Sequence, residues 1–368
     1  MRKILLATTA LVGFVAAGAA QAATAPLNVT VGGDVEFVAG AFHESRTAGA
    51  TDSASGDFET VYSLAFGVTG KAANGLEYGG NLVLDNDVDA VSDYEGNSNG
   101  IAVRTATVFM SGAYGKIQLG DARGATDLAV TAPSVAGVRY IDFLSNTVNA
   151  FPKDFVVGID GKDHSTNVTY YTPKIGGDFG KLQAAVTYAP NFNQYGSDVQ
   201  LNVSDEYRNV IKGAVAYTGN VRGVALNASA DIINGTIDDA TVRDFTAWGV
   251  GLAGAYQGFT LGATYTDNGD FNTVSGQNKD QRIVTAGLKY EFSKYAVGFD
   301  YLNGKGYSDF VGAGDRVKDF NAYSFGGAYT WAPGLTTTAN AVLFDVNAAT
   351  NANDNSGYVL LVSQKLAF

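Results

Sequence analysis

The sequence predicts an all-β protein, a 16-stranded antiparallel transmembrane β-barrel, on three observations. Bulky apolar residues recur at every second position over long stretches. The connections between those stretches alternate between tight and long. The composition also suits strands: of 368 residues 46 are glycine, 12% are aromatic and 16% are charged. Each interior glycine costs a helix about 1 kcal/mol, which weighs against a helical bundle. So many aromatics weigh against a disordered chain. With no cysteine there is no disulfide framework and no thiolate site, and two histidines leave little for a His-rich metal centre. A formal charge of −12 argues against nucleic acid, whose binders carry a basic face.

The first element is an address. Met1–Lys3 is a basic head, Ile4–Gly18 an apolar stretch, and Ala20-Gln21-Ala22 a small-x-small cleavage site. Together residues 1–22 read as a secretory signal peptide, leaving 23–368 as one barrel domain. After Ala22 no apolar run approaches the ~20 residues a spanning helix needs.

The period of the remainder is 2. Tyr62, Leu64, Phe66 and Val68 alternate with smaller residues, as do Leu182, Ala184, Val186 and Tyr188, and Tyr295, Val297, Phe299 and Tyr301. In a membrane barrel the bulky face meets lipid and the small or polar face encloses water. Sixteen strands fit the pattern: 27–41, 57–72, 75–86, 101–112, 115–121, 164–174, 180–190, 207–218, 221–234, 244–256, 258–267, 281–292, 295–303, 319–331, 334–346 and 356–368. The tight junctions are Ala73-Asn74, Ala113-Tyr114, Ile175–Phe179, Gly219-Asn220, Gln257, Ser293-Lys294 and Ala332-Pro333. Long polar junctions separate the other pairs, which puts both termini on the short-turn side. Aromatics at strand ends, among them Tyr62, Tyr114, Tyr188, Tyr256 and Trp331, resemble two interfacial girdles.

Residues 104–120 (RTATVFMSGAYGKIQLG), the hairpin of Ser165–Pro173 and Lys181–Pro190, and the C-terminal alternation ending in Phe368 resemble the general diffusion porins of Gram-negative outer membranes. Gly120–Asp127 is similar in style to the alphaproteobacterial members. The resemblance implies an outer-membrane location, a homotrimer with one channel per subunit, and recognition of Phe368 by the barrel-insertion machinery. It also implies contact with outer-membrane lipid and lipopolysaccharide.

By the same resemblance, residues 122–163 form the loop that folds inward and constricts the barrel, with loop acids facing basic residues on the wall. The candidate acids are Asp127, Asp142, Asp154 and Asp160, with Asp163 beside them. The candidate bases are Arg104, Arg123, Lys71, Lys212 and Lys289. Lys71 and Lys289 fall on the small, polar face of their strands. Arg104 shares its parity with Ala106, Val108 and Met110, so only a bulge or a strand end nearby would turn it inward. Opposite charges across a pore about 8 Å wide interact by only about 0.5 kcal/mol per pair at water's dielectric. Several pairs in a narrow slit would do more, orienting water and dipolar solutes. The excess of acid over base predicts mild cation preference.

Other chemistry is thinner. Asp85, Asp87 and Asp89 resemble the start of a calcium loop, but Ala90 and Gly96 stand where an EF-hand needs Gly and Glu. They remain candidates for a weakly held structural Ca²⁺; no cofactor is required. Asp163-His164-Ser165 cannot form a catalytic triad locally, because neighbours on a strand point to opposite sides. The expected function is passive diffusion of small hydrophilic solutes and ions, without catalysis. The alternatives are a substrate-specific channel for a sugar, an amino acid or an anion, which would show an aromatic or arginine ladder in the lumen, and a secreted β-sandwich.

Overall fold

The computed structural model describes residues 26–45, 56–86, 102–135, 164–192, 207–271, 273, 281–306, 317–348 and 354–368. The expected signal peptide lies outside the described residues. One sheet is built from β1 (Asn28–Glu44), β2 (Gly56–Lys71), β3 (Glu77–Asp85), β4 (Ala102–Gly112), β5 (Gly115–Ala122), β6 (Ser165–Tyr171), β7 (Ile175–Gly177), β8 (Gly180–Asn191), β9 (Arg208–Val221), β10 (Val224–Thr236), β11 (Phe245–Tyr256), β12 (Phe259–Gly269), β13 (Gln281–Phe292), β14 (Tyr295–Lys305), β15 (Val317–Ala332), β16 (Leu335–Ala348) and β17 (Asn355–Ala367). β6 and β7 both pair with β8 and form one interrupted stave, so the wall has sixteen staves. Pro173 causes the gap, since it has no N–H to give a ladder. Thr172 repairs it: the N–H of Ala184 donates to its Oγ1 at 3.0 Å, and its own N–H donates to the carbonyl of Ala184 at 2.9 Å.

Each stave pairs antiparallel with its neighbours, and β1 pairs with β17 from Asp34↔Ala367 to Glu44↔Gly357. The sheet therefore closes and has no free edge. At the seam Gly33 and Phe368 exchange two backbone hydrogen bonds, at 3.0 and 2.9 Å. Lys365 Nζ lies 2.9 Å from Asp34 Oδ2 and 3.8 Å from Glu36 Oε2 across the same seam.

The tight turns stand near the expected places, with two corrections. Gly219 and Asn220 remain inside β9, and the chain reverses at Arg222-Gly223. Both turn residues have positive φ, +52° and +88°, as a two-residue hairpin with the sheet's own twist requires. Asn220 Oδ1 accepts the N–H of Gly223 at 3.0 Å, so it braces the turn without forming it. Likewise Ile175–Gly177 pairs with β8, and only Asp178-Phe179 turns.

The outer face carries the bulky apolar residues. Val108, Leu261 and Val362 are each more than half exposed. At the short-turn end the rings of Phe259, Tyr290, Phe292, Tyr295, Tyr329 and Trp331 run in sequence, with neighbouring centroids 4.1 to 5.5 Å apart. At the long-loop end Trp248 meets Tyr265 at 5.2 Å, and Tyr301 meets Tyr323 at 5.1 Å. On β17, Tyr358 and Phe368 mark the two levels. The ten residue-to-residue steps from one to the other span about 33 Å of strand, or roughly 25 Å after a ~40° tilt, the height of an outer-membrane hydrocarbon band.

The inner face departs from a purely small or polar lining. Toward the long loops it is apolar and buried on β1 (Val38, Phe42), β15 (Phe320, Ala322), β16 (Val342, Phe344, Val346) and β17 (Val359, Leu361). On β8–β11, Ala189, Val210, Ile233, Phe245 and Ala247 form a second such patch with Tyr207, packed against Phe192, Ile237, Val242 and Phe271. Doublets such as Ile232-Ile233 and Leu360-Leu361 serve lipid outside and dry packing inside, which blurs the alternation.

The seam yields a test. A Cβ on Gly33 would collide with the carbonyl of Ser63 and come within 3.2 Å of the Phe368 ring. Gly33→Val is expected to pry the seam apart and lower the temperature at which the folded band converts to the unfolded one in heat-modifiability gels. Val29→Ala, on the exposed outer face of the same strand, is expected to leave that temperature nearly unchanged.

Candidate functional site

A bulge settles the direction of Arg104. Val83 pairs with Thr105 but Leu84 pairs with Val103, which leaves Arg104 as the extra residue of β4. A bulge of this kind re-aims a side chain. Val108 and Met110 remain exposed outside, while Arg104 Nη1 sits 2.9 Å from Oδ2 of the buried Asp85 on the inner face. Asp85 is thus committed to a guanidinium. Asp87 and Asp89 lie outside the described residues.

β5 and β6 are short, so the chain leaves the wall early, at the rung Ala122↔Ser165. Arg123 leads into a single 3-10 turn, Gly124–Leu128. Gly124 has φ +78°, and a Cβ there would run into Thr187. The N–H of Ala125 donates to Thr187 Oγ1 at 2.7 Å, and the Thr187 and Thr169 hydroxyls share a 2.7 Å bond. Tyr171 donates its hydroxyl to the carbonyl of Gly124 at 2.9 Å. Lys212 Nζ donates to the carbonyl of Arg123 at 2.9 Å. Side chains from β6, β8 and β9 therefore satisfy the backbone of the loop's root, as buried peptide groups demand.

Residues 129–135 then cross the inner wall from β10 to β14. The N–H of Val130 donates to Ser229 Oγ at 2.7 Å, and Ser134 Oγ donates to Asp300 Oδ2 at 3.0 Å. Between these anchors the wall offers glycine. A Cβ on Gly251 would come within 2.9 Å of Val130, on Gly262 within 2.9 Å of Pro133 Cδ, and on Gly298 within 2.7 Å of Val135 Cγ2; on Gly287 it would strike the carbonyl of Pro133. These four glycines, on successive strands, form the track in which the segment lies. A cavity of about 430 Å³ separates Leu128–Pro133 from Thr218, Asn227 and Thr260 of the wall.

The expected charged residues distribute unevenly. Asp127 lies on the 3-10 turn, where burial pushes its carboxyl above the usual range against the pull of Arg123, Lys116 and Lys212. His164, just before β6, is pushed down to about 3 by burial and by Arg104, Arg123 and Lys212, so it is neutral. Lys212 does not line water: it is fully buried, and its ammonium holds the loop root. Lys71 stands at the short-turn rim, 3.6 Å from Glu77. Lys289 faces inward one step along from Gly287, 3.7 Å from Glu291. Asp142, Asp154 and Asp160 lie outside the described residues.

Three lumen features were not anticipated. Lys116 lies over the rings of Phe109 and Tyr171, 5.3 and 4.9 Å from their centroids; its parity against the exposed Ile117 and Leu119 could have revealed it. Asp231 and Asp300 are buried acids of the inner wall. The glycine track carries no local signal at all.

The track makes loop position testable. Gly287→Val is expected to displace Pro133 and raise single-channel conductance while the folded band persists on gels. Ser134→Ala, which leaves Asp300 without that donor, is expected to loosen the anchor by about 1–3 kcal/mol, read as noisier open-channel current.

Comparison with known proteins follows the same line. No protein of curated function matches the sequence. Solved outer-membrane proteins share the fold. The channel DcaP of Acinetobacter baumannii matches with a TM-score of 0.60 at 14% identity, over 94% of this chain and 99% of that one. Salmonella typhi OmpF, solved with daunomycin, matches at 0.59 and 14%, over 91% and 97%. An anion-selective porin from Comamonas acidovorans matches at 0.58 and 16%, over 93% and 100%. At such identities these likenesses establish the closed barrel and nothing finer. The family model described as Gram-negative porin matches residues 7–350, and this chain, an outer-membrane β-barrel, belongs to that family.

Proposed function

We propose that this porin is a passive, water-filled channel for small hydrophilic solutes and ions, mildly preferring cations. It works as a homotrimer in which each subunit conducts. The observation that carries this reading is the course of residues 124–135 along the inner wall, anchored at Thr187, Ser229 and Asp300. A sixteen-staved barrel is too wide for side chains alone to fill. A segment laid against one side of it narrows the opening without plugging it. No step of this transport needs a bound group or a supply of energy. The cation preference is supported by 36 acids against 24 bases in the chain.

Planar-bilayer recording under a KCl gradient tests this reading. The reversal potential is expected to indicate a modest excess of K⁺ current. Neutralising Asp127, Asp142 and Asp154 together is expected to reduce it. Sugars of increasing size should reduce current without saturable block; saturable block by one solute would point to a substrate-specific channel instead.

Acid supplies a second readout. Asp127 takes up a proton above the ordinary carboxylate range, so cation preference is expected to begin falling there, and Asp127→Asn to lack that first step. Acid affects stability differently at the two groups. Protonating Asp127 relieves a burial penalty and favours the fold. His164 stays neutral in the fold down to about 3, while the unfolded chain protonates near 6.5, so native stability declines as pH falls through that window. His164→Gln is expected to flatten that part of the profile of heat stability against pH.

A further inference from the structure

We propose that the cavity beside the wall-laid segment binds an uncharged, polyhydroxylated solute of one or two rings, held by Thr131, Thr218, Asn227 and Thr260. The proposal rests on the lumen being open to solutes and goes beyond that reading, since free diffusion needs no seat. The cavity, of about 430 Å³, falls within the range of about 300–1,000 Å³ typical of small-molecule sites. Its place follows from the register. Ser229 and Gly251, which meet Val130, face each other on one rung of β10 and β11. Two residues nearer the short turns, about 7 Å along the strands, Asn227 stands between Thr218 of β9 and Ala253 of β11. Thr260 lies two residues further on, opposite Ala255. The cavity therefore sits on the short-turn side of the segment, which in outer-membrane barrels faces the periplasm. It has the wall on one side and Leu128–Pro133 on the other.

The lining selects the solute. Among the described residues none of the side chains around the cavity is charged. An ionised group would give up water there without gaining a counter-charge, which is unfavourable. The polar side chains are not engaged elsewhere: the Thr131, Thr218 and Thr260 hydroxyls and the Asn227 amide form no hydrogen bond among the described residues. Comparable groups on the inner wall outside the cavity are paired, Thr264 with Thr285 at 2.5 Å and Asn340 with Ser324 at 2.8 Å. A hydroxyl and a carboxamide each donate and accept, so their complement is a solute whose groups also do both, as sugar hydroxyls do. Leu128, Val130 and Pro133 add aliphatic surface for the C–H face of a ring. A purely apolar solute would leave the four polar groups dry and unpaired, so the site discriminates against it as well.

The test uses the full chain, folded in detergent, with sucrose as the probe in saturation-transfer NMR, which reads weak binding directly. The wild type is expected to give a saturable signal with a millimolar Kd. Thr218→Val with Asn227→Leu is expected to weaken that Kd at least tenfold, with heat-modifiability unchanged as proof of folding. Thr338→Val, on β16 outside the cavity, is expected to bind as wild type. Should the double variant not fold, Thr131→Val on the segment serves, with a severalfold loss expected. Glucose is expected to displace sucrose, and glucuronate, the same ring with a carboxylate, to displace it far less. A wild-type signal that never saturates would overturn the proposal. So would equal affinity in the Thr218/Asn227 variant, or equal displacement by glucuronate, which would mean that charge is not excluded. Wild-type conductance in KCl tests the channel separately: current without sucrose binding sinks this proposal alone, and sucrose binding without current sinks the channel reading alone.

Discussion

Hydrocarbon offers no partner to an unpaired peptide group, and the architecture follows from that constraint. A sheet in lipid must close, and here closure depends on β1 finding β17 in register from Asp34↔Ala367 upward. Once closed, the wall has no freedom to slip. A shift of one residue anywhere would carry the outer side chains inside and the inner ones out. Lys365 between Asp34 and Glu36, and Phe368 paired with Gly33, fix the register where the two ends of the chain meet. The lumen chemistry is therefore a consequence of seam geometry as much as of residue choice. A side chain can change face only through a bulge, and β4 uses one to bring Arg104 to Asp85.

Closing so many staves makes a barrel with more interior than side chains can fill. The chain responds by shortening the wall at β5 and β6 and laying residues 124–135, which follow β5, against the inner face. That backbone carries its own donors and acceptors, so the wall must supply partners at every crossing. Hydroxyls do so at Thr187 and Ser229, and at Asp300 a carboxylate accepts the side-chain hydroxyl of Ser134. Where the segment needs closeness more than hydrogen bonds, the wall omits Cβ atoms. Glycine weakens a strand, and four of them on adjacent staves would be a liability in an open sheet. In a closed barrel each is held on both sides by a full ladder, which lets the wall tolerate the loss.

The alternation that builds the outer face was legible in the sequence because it is local. Strand limits could be read to within a few residues, since each bulky-small repeat and each glycine-bearing turn speaks for itself. Gly219-Asn220 misled because the true turn places an arginine at positive φ, a conformation its composition does not advertise. Arg104 was legible as a contradiction: its parity disagreed with the resemblance, and the register shift is what reconciles them. Lys212 was legible in direction but not in depth, because its burial comes from a loop carbonyl 89 residues away. The glycine track was not legible at all. Gly251, Gly262, Gly287 and Gly298 matter through Val130, Pro133 and Val135, and no local period encodes a contact across so much chain.

The electrostatics of the loop root follow from the same packing. Arg104, Lys116, Arg123 and Lys212 gather at the loop root, yet a count of charges overstates the field they present. Arg104 is paired with Asp85, Lys116 lies over two rings, and Lys212 is buried against a carbonyl. Asp127 sits among the same cations, and burial still outweighs their combined pull on its carboxyl. Of these cations Lys212 holds the loop root directly, through the carbonyl of Arg123. A single opposed pair across about 8 Å of water contributes only about 0.5 kcal/mol, less than RT. Ion preference in a water-filled channel therefore cannot rest on any one residue. It depends on the sum of charges left to face water, and the loop's position decides which those are.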